Sequence, residues 1–106
     1  MTAPTGPDRT GAALIAAERR RQIEAEGWTP EHDAQHDDHD LVFAAACYVT
    51  PDYARFLTNS GIPADWPWEP SAWKPTPDDR VRELVKAGAL IAAEIDRLQA
   101  QEARRG

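Results

Sequence analysis

TPDDRVRELVKAGALIAAEIDRLQAQEA, residues 76–103, carries the longest unbroken pattern in the chain. Thr76 is a good N-cap residue, Pro77 suits the first helical position, and Asp78 and Asp79 place negative charge where the helix dipole favours it. Beyond them Val81, Leu84, Val85, Gly88, Ile91, Ala92, Ile95 and Leu98 recur at helical spacing and share one face. The pattern predicts an amphipathic helix over residues 77–103 with that apolar stripe buried. Gly88 costs about 1 kcal/mol relative to alanine inside a helix, a cost that a close helix–helix approach would justify. Arg80, Arg82, Glu83 and Lys86 fall in its N-terminal half. In a chain of 106 residues this one element sets the class: a mainly α, single small domain of about three helices.

Two further helices are legible upstream. Residues 11–26, GAALIAAERRRQIEAE, combine good helix formers with Gly27 as a stop. Ala12, Ile15, Ala16, Arg19, Gln22, Ile23 and Glu26 share one of its faces, so Arg19 either snorkels over a core edge or points into a ligand cleft. Residues 41–49, LVFAAACYV, are apolar nearly all round and predict a buried helix capped by Asp38 or Asp40. Cys47 inside it reads as a small hydrophobe. Residues 52–57 suggest a further turn carrying Tyr53 and Phe56. The remaining loop, residues 59–75, is punctuated by Gly61, Pro63, Pro67, Pro70 and Pro75, yet holds Trp66, Trp68 and Trp73. These rings either plug the open side of the core or form a stacking wall for a flat ligand. Residues 1–10 read as a disordered polar lead and 104–106 as a frayed tail.

Chemistry concentrates in residues 27–40, GWTPEHDAQHDDHD, with all three histidines, Trp28, Asp33, Asp37, Asp38 and Asp40. His32, His36 and His39 have the i, i+4, i+7 spacing of metal ligands on one helix. Thr29-Pro30 and the aspartates near residue 40 are both helix-start signals, however, and a break between them destroys that register. No metal site is therefore expected, and the stretch reads as half of a binding site on a turn.

Composition narrows the partners. A formal net charge of −6 argues against nucleic acid and anionic membrane surfaces, which need a basic footprint. One cysteine precludes an intrachain disulfide and suits a reducing cytoplasm. No apolar run reaches the ~18 residues that span a bilayer. No Ser or Cys nucleophile motif and no Gly-rich phosphate loop is present, so no catalytic residue and no cofactor is expected. An all-α MazG-like nucleoside triphosphate pyrophosphohydrolase is the enzyme alternative. It needs paired acids at helical spacing to hold Mg²⁺, and here only Asp79 and Glu83 qualify on the long helix. A structural or protein-interaction module is the third reading.

The succession ERRRQIEAEGWTPEHD, HDLVF and DDRVRELVKAGALI resembles the RyR domain, the small repeat of ryanodine receptors that also occurs in bacterial and phage proteins. Arg19 or Arg21, Gly27-Trp28-Thr29, Asp33, Leu41-Val42 and residues 79–91 take the family's places. The chain is similar also to short proteins of tailed phages and prophages, over about residues 14–98. The resemblance implies binding rather than catalysis, of a nucleotide or nucleotide-derived signal. It also implies a homodimer, since such repeats occur in tandem about a pseudo-two-fold axis. The expected ligand-binding residues are Trp28, Asp33 and His36 at the centre, Trp66, Trp68 and Trp73 as the aromatic wall, and Arg19, Lys74 and Arg80 as cations.

Overall fold

Thr10 starts the first helix. Its Oγ1 accepts the Ala13 N–H at 3.1 Å, satisfying one of the four free donors of a helix start, and its carbonyl accepts the Leu14 N–H at 2.9 Å, the first regular bond of the helix. From this cap α1 runs over Gly11–Glu26, α2 over Asp40–Val49 and α3 over Arg80–Arg105 in a computed structural model that describes residues 9–26 and 39–105. The mainly α reading is borne out. The expected turns at Thr29-Pro30 and the expected site residues Trp28, Asp33 and His36 lie outside the described residues. Among the described residues no helix is long and apolar enough to cross a membrane.

The starts and ends of α2 and α3 differ in detail from their sequence signals. His39 occupies the α2 N-cap position without a side-chain bond, while Asp40 stands in the first turn, where the dipole favours it. Asp79, not Thr76, caps α3: its Oδ1 accepts the Arg82 N–H at 3.1 Å, and its carbonyl accepts that of Glu83. Thr76 instead closes the preceding turn, its carbonyl accepting the Asp79 N–H at 2.8 Å. At the far end α3 continues through Arg104 and Arg105, whose positive charge suits a helix C-terminus.

Between α2 and α3 the chain makes 3-10 turns at Asp52–Ala54 and Pro70–Ala72 and one antiparallel bridge, Leu57 to Pro63. Gly61, at φ +78°, makes the left-handed turn inside that bridge. Tyr53 and Phe56 are exposed.

α3 packs against both α1 and α2. Its contact with α2 is built from small residues. Leu41, Ala44, Ala45 and Tyr48 meet Ala87, Leu90 and Ala93, and Trp66, Trp68 and Trp73 close over them. Against α1, Gly88 admits Ile15: a Cβ at position 88 would stand 2.5 Å from Ile15 Cδ1 and 2.8 Å from Cγ1. The close approach that the sequence required to explain this glycine is therefore present.

The orientation of α3 overturns the expected buried stripe. Val81, Leu84, Ile91, Ile95 and Leu98 are 45–61 % exposed, and of the stripe only Val85 is buried. The buried arc instead carries Glu83, Ala87, Ala89, Leu90, Ala93, Glu94 and Arg97. The alanines let neighbouring helices come close, and the charged members are paired among themselves or with neighbours. Arg97 donates to both oxygens of Glu94 at 2.6 and 2.9 Å. α2 is likewise covered on one side only, with Val42, Phe43 and Val49 nearly half exposed.

Glu83 is the hub of the fold. It is fully buried, and its carboxylate receives Arg55 at 3.1 Å, Arg80 at 3.2 Å and the Thr76 N–H at 3.0 Å. Burial pushes its pKa up, but the bonds from Arg55, Arg80 and Thr76 outweigh that and hold it below the usual carboxylate value. The same two arginines satisfy the last carbonyls of α2. Arg55 donates to Cys47 and Tyr48, and Arg80 to Tyr48 and Val49.

Candidate functional site

On the loop side of α3 lies a cavity of about 450 Å³. Helical spacing supplies its polar wall. Glu18, Arg21 and Gln22 project from adjacent turns of α1, and Arg82, Lys86 and Leu90 from three successive turns of α3. Tyr48 of α2 and Trp66, Trp68, Ser71, Ala72 and Lys74 of the loop complete the lining. Four cations and one carboxylate thus line a single cavity in a chain whose net charge is −6.

Glu18 organises the charged side. It accepts both nitrogens of the Arg21 fork at 2.9 Å, Arg82 at 2.9 Å and the Gln22 amide at 3.2 Å. Burial raises its pKa, yet the bonds and charges of Arg21 and Arg82 carry it below the usual value. The carboxylate is thereby saturated. Two guanidinium groups are left side by side, fixed in place before any ligand arrives. Gln22, nearly fully buried, spends its NH₂ on Glu18, and its Oε1 has no hydrogen-bond partner.

Lys86 extends this cationic wall. Its Nζ donates to the Lys74 carbonyl at 2.7 Å and sits 5.4 Å from the Tyr48 ring centroid, within cation–π range. Burial, then the charge of Arg82, lower its pKa, while Glu18 and Glu83 oppose the shift. Tyr48 joins the two sides, since its hydroxyl accepts the Lys74 N–H at 3.1 Å.

The indoles divide the work that the sequence left open between plug and wall. Trp73 lies 4.7 Å from the Tyr48 ring and 5.1 Å from Trp66, with Arg55 stacked at 5.1 Å, and it does not line the cavity. Trp66 and Trp68 do line it, edge to face at 5.4 Å, while also packing on the core. Trp66 is locked by its Nε1–H bond to the Glu69 carbonyl at 3.0 Å. Rings fixed in this way present apolar surface at little entropic cost.

Of the residues expected in the site, Trp66, Trp68 and Lys74 come together here. Trp73 stands behind the wall. Arg80 is drawn away by the free carbonyls at the α2 C-terminus and by Glu83. Arg19 lies one position further around α1 than Glu18 and pairs instead with Asp96 at 3.2 Å. Glu18, Arg21, Gln22, Tyr48, Arg82 and Lys86 are not among the residues expected to bind the ligand, although Arg21 is one of the two arginines that take the family's place. Their signal was the 82–86–90 and 18–21–22 spacings, hidden by the assumption that the more apolar face of α3 points inward.

The alternative acidic pair has another use. Asp79 caps α3 and Glu83 is consumed by two arginines, so neither carboxylate faces the cavity. Among the described residues no group of three His, Cys, Asp or Glu side chains is placed to hold a metal ion. Cys47 is buried, and its thiol pKa is raised, by burial first and then by the charge of Asp65, against the lowering influence of Arg55. No protein-family model, no curated protein and no solved structure matches the chain.

Proposed function

We propose that the chain is a non-catalytic binding module for a nucleotide or nucleotide-derived signal. One observation carries the reading: a cavity lined by Arg21, Arg82, Lys86 and Lys74 together with Trp66 and Trp68. Phosphate and an aromatic base are two of the three parts of a nucleotide, the sugar between them being the third. A paired guanidinium wall suits the first and indoles suit the second. A volume of about 450 Å³ falls within the range of small-molecule sites. The resemblance to RyR domains supports the same ligand class. On this reading the protein is cytoplasmic and, in a phage setting, sequesters the signal and so blunts host defence.

The test is retention. The protein is incubated with linear and cyclic nucleotides, with and without Mg²⁺, freed of unbound ligand and denatured, and the released material is analysed. An intact nucleotide is the expected result. A converted one would favour pyrophosphohydrolysis, and no retention of any nucleotide would remove the binding reading.

A further inference from the structure

The guanidinium pair borders a second cavity, of about 560 Å³. Glu18, Arg21 and Arg82 line it as well as the first. Helical spacing is the reason. On α1, Leu14, Ala17, Glu18 and Arg21 follow one another at intervals of three and four residues and make one stripe. Val81, Arg82 and Val85 line the same space from the first turns of α3, whereas Lys86 and Leu90 belong to the first cavity. The two spaces therefore share a single ion-paired cluster.

Within that cluster the carboxylate is hidden and the cations are presented. The Glu18 side chain is 2 % exposed, while those of Arg21 and Arg82 are 47 % and 36 % exposed. Apart from the shared cluster, the second cavity has a different lining from the first. Leu14, Ala17, Val81 and Val85 are apolar, and Arg9 and Asp79 carry opposite charges, so it adds no net charge. The first cavity adds Lys74 and Lys86. Net positive charge thus ends at the arginines.

This charge distribution decides how a phosphate group can lie. A terminal phosphate carries about two charges at neutral pH, and its outer oxygens need cations or water. Held at Arg21 and Arg82, it would turn them toward an apolar, charge-balanced space. A phosphate esterified on both sides has no such outer end. It gives its anionic oxygens to the arginines and sends one organic group into each cavity.

We infer that the site takes a phosphate-bridged ligand with a nucleoside at each end, its bridge at Arg21 and Arg82. The inference rests on the nucleotide-binding reading and narrows it. One nucleoside stands against Trp66 and Trp68 in the first cavity. The other lies on Leu14, Ala17, Val81 and Val85, where Arg9 offers donors and Asp79 an acceptor for its polar edges. Asp79 accepts the Arg82 N–H through Oδ1, and a carboxylate has acceptor capacity beyond one such bond. Each cavity alone falls within the volume range of a small-molecule site, so both arms are accommodated.

Calorimetric titration of the full chain tests the second arm. A nucleoside 5′-diphosphate is compared with the dinucleoside pyrophosphate of the same base, in an adenine and a uracil series. The two ligands of a series share base, sugar and pyrophosphate and differ in the second nucleoside. The dinucleoside is expected to bind about tenfold tighter in the preferred series. Ala17→Leu adds bulk to the second cavity and Arg9→Ala removes its own cation. Each is expected to bring the ratio close to one. Both positions are exposed, and helical circular dichroism checks that the variants fold. Equal affinities of diphosphate and dinucleoside for the parent chain overturn the inference and leave the nucleotide reading standing. A preference that survives in either folded variant also overturns it, since the second arm then lies elsewhere. If no nucleotide of either kind binds, both readings fall together.

Discussion

Glu83 shows how a polar side chain can sit where the apolar pattern did not place it. Its carboxylate holds the α3 start, the loop at Thr76 and the arginines that cap α2, so removing it breaks three connections at once. Glu83→Ala leaves the guanidinium of Arg55, with a side chain 2 % exposed, without its buried partner. The expected loss is about 3–5 kcal/mol of stability, read from urea denaturation. Acid acts on the same group. Glu83 and Glu18 both have folded-state pKa values below their ordinary ones. Their contribution is complete above the ordinary carboxylate range and is lost as pH falls through the folded values. The melting temperature is therefore expected to hold between pH 7 and 5 and to drop on acidification below about 4. In the cavity, Arg82→Ala removes one of the two guanidinium groups held by Glu18. At least a tenfold loss of retained nucleotide is expected, with Arg19→Ala, outside the cavity, as the control that leaves retention unchanged.

At the scale of elements the decisive contact is that of α1 with α3. Gly88 and Ile15 are matched so closely that an added methyl fits only if the Ile15 side chain shifts. Gly88→Ala gains about 1 kcal/mol of helix propensity but meets an overpacking cost of about 1–3 kcal/mol, for a net loss on the order of 1 kcal/mol. In an Ile15→Ala background the clash is gone and the same substitution is expected to stabilise. Denaturation of the four members of this cycle measures the reversal of sign, and two effects of the same sign would contradict the close approach. Element identities were legible in the sequence, because capping residues, prolines and helix formers act locally. Which face of α3 turned inward was not. Alanines allow α2 and α1 to approach closely, and ion pairs remove the penalty of burying Glu83, Glu94 and Arg97. Both facts depend on partners distant in sequence.

For the whole molecule, charge is distributed against its average. A chain of net charge −6 gathers Arg21, Arg82, Lys74 and Lys86 around one cavity, so the local field there opposes the global one. Salt weakens interactions beyond about 8 Å at physiological ionic strength. Retention of phosphorylated ligands is therefore expected to fall as salt is raised, while an uncharged nucleoside loses little; equal sensitivity of the two would count against a cationic phosphate site. The sequence by itself determined the helical class, the three helices, the aromatic loop and the need for a close approach at Gly88. Each of these follows from local conformational preference or from a periodicity within one segment. Only the tertiary structure decided that Arg80 caps α2, that Arg19 answers Asp96, and that Arg21, Arg82 and Lys86 converge with Trp66 and Trp68. Those outcomes turn on the rotation of α3 about its axis, which is fixed by how neighbouring helices fit its alanines and by which buried charges find partners.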